Sequence, residues 1–288
     1  MKKSVALVLS SGGSKGLAHI GVINELEKQG FEITSISGSS IGSVIGGVYA
    51  MGKLPEYTKW IKTLDPKSIW GLMDFTISTN GLLKGEKVFE KMKTFIPDMP
   101  IEEMNIPYAA VATDIINHED VVFDSGSFYQ AVRASIAIPT VFRPVNYKDT
   151  ILVDGGVLNP IPADHVKRTE EDILVVVNLY GKGKKAKKTP AKSSKSGLPK
   201  TFNDILDSVS NYINSSDMKS LGYFSILTAT TAAMVKRMAR NSIDLYKPDI
   251  VINIPAGSSS TFDFHKADEL IQLGIKETKK AILLNTSL

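Results

Sequence analysis

Twice within its first 52 residues the chain runs through a short apolar stretch, a turn of glycine and serine, and a segment of helical spacing. Val5 to Leu9 is wholly apolar and stops at Ser10-Ser11-Gly12-Gly13-Ser14-Lys15. Leu17, Ile20, Ile23 and Leu26 then recur at the helical period, with Gly30 in the stop position. Ile33 to Ser37 repeats the pattern and is turned by Gly38-Ser39-Ser40-Ile41-Gly42 into a helix from Ser43 to about Met51. Two strand-turn-helix units in succession predict an α/β fold with parallel strands. Further strands are expected at Tyr108 to Thr113, Asp120 to Phe123, Ile151 to Val153, Ile173 to Asn178 and Ile250 to Ile254. Helices are expected at Gly85 to Phe95, Ser127 to Ser135, Ala163 to Lys167, Phe202 to Ser215, Leu221 to Ile243 and Lys266 to Leu284. The chain has 288 residues and no internal repeat, so one domain over 1–288 is expected.

Composition narrows the chemistry. The absence of cysteine excludes a disulfide framework, a thiolate metal site and a cysteine nucleophile. Net charge is +4, but eight lysines and no acid fall in 181–200, a Gly/Pro/Ser-rich stretch, which leaves 26 basic against 30 acidic residues elsewhere. The body is therefore mildly acidic, and 181–200 is expected to be a solvated loop or a segment drawn to anionic lipid. No nucleic-acid partner is implied. Met1-Lys2-Lys3 before Val5 to Leu9 imitates a secretory leader, but the apolar run is too short and reads as a strand. No stretch of about 18 uninterrupted apolar residues occurs, and a cytoplasmic protein is expected.

Gly38-x-Ser40-x-Gly42 has the form of a nucleophile elbow, a strained strand-to-helix turn that lifts a serine hydroxyl clear of the sheet. Small residues are needed on either side because the backbone there is crowded. Taken alone, an ordinary helix-capping turn reads the same way. Gly12, Gly13, Ser14, Lys15 and Gly16 open the first helix, where exposed N–H groups hold a phosphate or an oxyanion. Their spacing departs from the dinucleotide pattern Gly-x-Gly-x-x-Gly, although Glu32 stands near the distance of a ribose contact. Asp154-Gly155-Gly156 ends an apolar strand with an acid that has room around it. Together the three segments supply a nucleophile, oxyanion donors and a base.

With these motifs the chain resembles the bacterial patatin-like phospholipases, serine lipid acyl hydrolases. The resemblance rests on Gly12-Gly13-Ser14-Lys15-Gly16-Leu17-Ala18-His19-Ile20-Gly21-Val22, Gly38-Ser39-Ser40-Ile41-Gly42, Ala134-Ser135-Ile136-Ala137-Ile138-Pro139 and Asp154-Gly155-Gly156. It extends through Val111-Ala112-Thr113-Asp114 and Phe262-Asp263-Phe264-His265. It implies a three-layer α/β/α sandwich with a mostly parallel central sheet, a catalytic dyad of Ser40 as nucleophile and Asp154 as base, and no cofactor. Gly12, Gly13, Ser14, Lys15 and Gly16 are then expected to form the oxyanion hole with Ile41, and lipids or lysophospholipids to be the substrates. In the family the glycine loop usually starts with three glycines and carries arginine before the last. Here Ser11 takes the first position and Lys15 the arginine's, which keeps the charge and gives up the bidentate fork.

The histidines, His19, His118, His165 and His265, do not follow the Ser-Asp-His order of a hydrolase triad after a late strand, apart loosely from His265. No His/Asp/Glu cluster at metal spacing is apparent, so no metal is expected. Trp60, Ile61, Leu64, Ile69, Trp70, Leu72, Met73, Phe75 and Ile77 read equally as an acyl-chain pocket or mobile cap near the active site and as a helical layer on the core. Leu221 to Val235 carries no charge and is expected to pack in the core, with a face toward a partner or a membrane as the alternatives. An acyltransferase using the same acyl-serine and a non-catalytic phosphate- or nucleotide-binding regulator remain as alternatives. Peripheral membrane contact is left open, and the oligomeric state is not indicated.

Overall fold

The computed structural model describes residues 3–74, 84–183 and 223–285. Residues 184–200 of the lysine-rich stretch, the helix expected over Phe202 to Ser215, and Phe75 and Ile77 lie outside these.

One eight-stranded sheet organises the chain, in the order β5-β6-β3-β2-β1-β7-β8 with β4 also on β3. β1 (Lys3–Leu9) pairs in parallel with β2 (Phe31–Ser39) and with β7 (Ile173–Gly181); β2 with β3 (Tyr108–Asp114), and β7 with β8 (Ile250–Pro255), are parallel too. β4 (Glu119–Phe123), β5 (Val145–Tyr147) and β6 (Thr150–Asp154) form the antiparallel side.

β1, β3 and β7 are buried on both faces along most of their length, which is why they read as continuous apolar runs rather than alternating ones. On β1, Val5, Leu7 and Leu9 join the larger core, while Ala6 and Val8 point to the opposite layer. The larger core is covered by α1 (Ala18–Lys28), α2 (Ile41–Ala50) and α8 (Ala267–Leu284), then by α3 (Leu54–Ile61), α5 (Glu86–Lys93) and α6 (Phe128–Ser135), each with buried apolar residues in that cluster. A Cβ on Gly21 would sit 2.0 Å from the Ile271 carbonyl oxygen, and one on Gly274 2.1 Å from that of Ala18. α1 and α8 therefore cross at backbone contact, and valine at either position would force them apart. α4 (Pro66–Leu72) is capped by Asp65, whose side chain accepts from the Ser68 N–H at 2.7 Å.

On the opposite face, among the described residues, Ile161, Ala163 and Val166, with Ala239 and Ile243 of α7 (Tyr223–Tyr246), cover Ala6, Val8, Leu174 and Val176. The result is a three-layer α/β/α sandwich with a mostly parallel sheet. The helix expected at Ala163 to Lys167 is instead a chain of turns and bends. It runs along β2, where Ser35, Ser37 and Ser39 donate their hydroxyls to the carbonyls of Lys167, Pro162 and Asn159. For the described part of Leu221 to Val235 the expectation of core packing is also corrected. Ile226, Leu227 and Met234 are 51%, 45% and 60% exposed, and α7 is held by its second half, where Ala239 is buried. Among the described residues no helix is long and apolar enough to cross a membrane.

Candidate active site

β3 is the ruler of this site. Val111 lies opposite Ser39 at the end of β2, and the next residue, Ala112, lies opposite Asp154 at the end of β6. β4 occupies the other edge of β3, so β2 and β6 meet end to end on one edge. Ser40 and Asp154, 114 residues apart in sequence, thereby face each other with Ser40 Oγ donating to Asp154 Oδ2 at 2.5 Å.

The turn that presents Ser40 is strained and crowded. Ser40 has φ 54° and ψ −126°, a conformation that non-glycine residues rarely adopt. A Cβ on Gly38 would lie 2.4 Å from the carbonyl carbon of Gly42, and one on Gly42 2.1 Å from the Leu9 carbonyl oxygen. The turn is fixed from two sides. The Ser40 N–H donates to Ser135 Oγ at 2.9 Å, and Ser135 in turn donates to the Val111 carbonyl at 2.6 Å. Ser43 donates its hydroxyl to the Ser40 carbonyl at 2.6 Å. Ser135 came to notice only within a motif; its partners are distant in sequence, and no local spacing announces them.

Asp154 is buried, and desolvation raises its pKa to about 6 against the opposing hydrogen bonds from Ser40 and from the Gly156 N–H at 2.7 Å. Gly155 is required because a Cβ there would meet the Val111 carbonyl oxygen at 2.0 Å, and Gly156 leaves room for the Ser11 hydroxyl. Ser11, in the first loop position, shares a hydrogen bond of 2.5 Å with the Tyr180 hydroxyl.

The glycine loop passes beside the elbow, where a Cβ on Gly16 would collide with Ile41. Gly13 has φ 61° and abuts Thr261. The N–H groups of Gly12, Gly13 and Ile41 find no acceptor among the described residues, whereas that of Ser14 donates to the Thr261 carbonyl at 2.9 Å. Lys15 is buried with its ammonium 5.6 Å from the Tyr180 ring centroid, donating to the Ala256 carbonyl at 3.4 Å; desolvation lowers its pKa to about 8.

No histidine joins the pair. His19 is buried with Nε2 on the Ser10 carbonyl at 2.9 Å, and desolvation takes its pKa down to about 4. His165 Nε2 lies 2.9 Å from Asp120 Oδ2, and that carboxylate holds the imidazole above its usual range. Contrary to the reading of the sequence, a cluster with the makings of metal ligands does exist: Asp120, Asp164 and His165 converge. Asn159 Nδ2 donates to Asp120 at 2.7 Å and to Asp164 at 2.9 Å, so the cluster closes on itself through hydrogen bonds.

From Ser40 an apolar pocket of about 980 Å³, its open mouth included, runs between α2, α3, α4 and α5. Trp60, Leu64, Leu72 and Phe89 line it, with Phe264 arriving from the C-terminal region. Asp74, the one acid among the described residues of its wall, is engaged by the N–H groups of Gly85 and Glu86 at 2.6 and 2.8 Å. The two readings of the Trp60 region thus combine: Ile61 and Ile69 are buried and also line the pocket, while Trp70 stays outside the lining.

A family model described as patatin-like phospholipase matches residues 7–167, from β1 to beyond the Asp-Gly-Gly segment. The chain belongs to the patatin-like phospholipase family. An uncharacterized NTE family protein of Mycobacterium bovis is 31% identical over 323 residues, covering 94% of this patatin-like chain and 89% of its own. A Mycobacterium tuberculosis protein of the same description aligns to the same extent. Lysophospholipase NTE1 of Scheffersomyces stipitis is 26% identical over 96% of this chain, which spans 18% of that larger protein. Among solved structures, VipD from Legionella pneumophila aligns over 99% of this chain and 67% of its own, with TM-score 0.50 and 15% identity, a likeness of fold.

Proposed function

We propose that this patatin-like chain hydrolyses acyl esters of phospholipids or lysophospholipids through an acyl-enzyme on Ser40, with Asp154 as the only general base. Family membership supports lipid hydrolysis in general. The observation that carries the finer reading is the 2.5 Å contact between Ser40 Oγ and the buried Asp154 carboxylate at the head of a hydrocarbon-lined pocket.

Ser40 Oγ attacks the ester carbonyl carbon while its proton passes to Asp154 Oδ2. The carbonyl oxygen takes up the displaced electron pair and turns to the N–H groups of Gly12, Gly13 and Ile41; a preorganised donor of this kind contributes about 3 to 4 kcal/mol. Collapse expels the alcohol, which takes the proton from Asp154. Water then repeats the sequence on the acyl-serine and releases the fatty acid. A pKa of about 6 suits Asp154 to this work, because it is ionised at neutral pH yet more basic than an ordinary carboxylate.

The pocket takes the acyl chain, and its hydrocarbon walls favour a long one. Incubation with a fluorophosphonate, followed by mapping of the adduct, tests the reading. Labelling of Ser40 together with fatty-acid release from lysophospholipid supports it, and an unlabelled folded protein sinks it in favour of a binding role. Added alcohol that yields new esters in place of free acid reassigns the chain to acyl transfer.

A further inference from the structure

The large apolar side chains left exposed are unevenly placed. Among the described residues there are ten, and six of them, Ile115, Ile116, Leu158, Ile226, Leu227 and Met234, lie toward the end of the sheet that carries Ser40. Ile115 and Ile116 follow Asp114 at the carboxyl end of β3, in the turn before β4. Leu158 follows the short 3-10 turn Gly155–Val157 that leaves Asp154. Three residues separate α7 from β8, so the end of α7 lies at the amino end of that strand, and its start points the other way. Ala239 is buried in the layer over β7, and Ile226 stands 13 residues before it, about 20 Å along the helix axis. In the sheet order β3 lies on one side of β2 and β1, and β7 on the other. The β3–β4 tip and the first half of α7 therefore flank Ser40 and the glycine loop.

The first half of α7 is unusual in water. Between 226 and 234 every side chain described, apart from Ala229, is exposed, and no charge occurs from Tyr223 to Val235. An exposed stretch that shows Ile226, Leu227 and Met234 among alanines and threonines, with no charge on any side, is poorly matched to water. The charges then arrive together: Lys236, Arg237 and Arg240 are exposed, and the helix's acid, Asp244, pairs with Arg240 at 3.6 Å. Ten residues separate Ile226 from Lys236, about 15 Å of helix, which matches an apolar tip set below a layer of phosphates. In sequence, β7 is followed by 182–200 with its eight lysines and no acid.

We propose that this end of the molecule is a lipid-docking face: the β3–β4 tip, Leu158 and the first half of α7 enter the edge of an anionic leaflet, and Lys236 and Arg237 sit among its phosphates. The choice of occupant rests on the lipid reading above, but docking and hydrolysis are measured separately.

The full-length protein is incubated with phosphatidylcholine vesicles with and without phosphatidylglycerol. Binding is expected to be at least about tenfold tighter to the anionic vesicles, and the combined Ile116→Ser, Ile226→Ser and Met234→Ser variant to lose at least about tenfold of it. Hydrolysis of a soluble short-chain ester by that variant should stay within about twofold of the parent, which certifies its fold. Because the chain has no cysteine, Ile226→Cys, Ile116→Cys and Ser125→Cys each accept one environment-sensitive fluorophore. The first two should shift to the blue on anionic vesicles; Ser125, just past β4 at the opposite end, should not. Undiminished vesicle binding by the serine variant overturns the proposal. So does a label at 226 that is already shielded without lipid, the sign of cover by another part of the chain or a second copy. A Ser40→Ala protein that binds vesicles but releases no fatty acid leaves docking intact; vesicle binding by a parent that proves inactive fells the hydrolase reading alone.

Discussion

Ser135 holds Ser40 by its backbone: the Ser135 hydroxyl on α6 accepts from the nucleophile's own N–H at 2.9 Å and donates to the Val111 carbonyl at 2.6 Å. Replacing it by alanine leaves a buried N–H and a buried carbonyl unmatched, which costs about 1–3 kcal/mol for each group. Ser135→Ala is therefore expected to melt several degrees lower and to lose kcat on a soluble ester with little change in KM. Ser135→Thr, which restores the hydroxyl, should recover part of both. An alanine variant with parental melting and turnover would show the bridge to be dispensable.

Removal of either member of the pair should be close to total. Ser40→Ala and Asp154→Asn are each expected to lower ester hydrolysis by about a thousandfold or more, whereas Ser39→Ala and His165→Ala retain most of it. A folded His165→Ala protein as inactive as Ser40→Ala would establish a histidine in the chemistry. Activity is expected to survive exhaustive chelation, and its return with a single divalent ion after loss would count against backbone-held oxyanion chemistry.

The pH dependence carries a sign that separates function from stability. Hydrolysis requires Asp154 ionised, so kcat/KM should rise with pH through about 6. The folded protein keeps that proton to higher pH than the unfolded chain, so stability should fall as pH rises from about 4 through about 6. The loss is roughly 3 kcal/mol at about 1.4 kcal/mol for each tenfold in acidity. Asp154→Asn should accordingly be more stable than the parent at pH 8, with the gap closing toward pH 4. Parallel melting curves at both pH values would contradict it.

Lys15 gives the complementary case. Burial lowers its pKa to about 8, so below that pH the fold carries a desolvated cation, and the burden eases as pH climbs toward the unfolded value of 10.5. Lys15→Met should melt a few degrees higher at pH 7, an advantage that shrinks by pH 10. Its activity should fall further on an anionic phospholipid than on a neutral short ester. Equal losses on both substrates would restrict Lys15 to shaping the loop.

Val44 stands on α2 one turn beyond Ser40 and lines the pocket. Val44→Phe should reduce turnover of long-chain esters by about tenfold or more while leaving two- to four-carbon esters within about threefold. A uniform loss across chain lengths would place the acyl group elsewhere.

Much of this was legible from residue order alone. The strands of the parallel half appear as apolar runs because both their faces are covered, and the motifs that signal the family are local. β5 is not legible: it has three residues, none buried, and exists through pairing with β6. The segment from Ala163 to Lys167 looks helical because Ala163 and Val166 fall at that spacing, yet the chain from Asn159 to Lys167 is laid along β2, with the carbonyls of Asn159, Pro162 and Lys167 taken by Ser39, Ser37 and Ser35. The alternation of those serines was visible, but not their acceptors. The uncharged start of α7 carries the composition of a core helix, and composition does not reveal that Ile226, Leu227 and Met234 stand exposed.

The register of β3 has a consequence for how such a protein diversifies. Since Val111 and Ala112 set the spacing of the elbow to the acid, and Ser135 and Ser43 brace the turn from outside the stretch between α2 and β3, the residues of that stretch, which wall most of the pocket, can be rebuilt without retuning the chemistry. A one-residue insertion within β3 would part nucleophile from base at a stroke, whereas an exchange of α3 to α5 alters what enters. Selectivity in this architecture behaves as an exchangeable insert on a fixed reactive frame, so chimaeras that swap residues 53–100 between relatives are the economical route to new substrates.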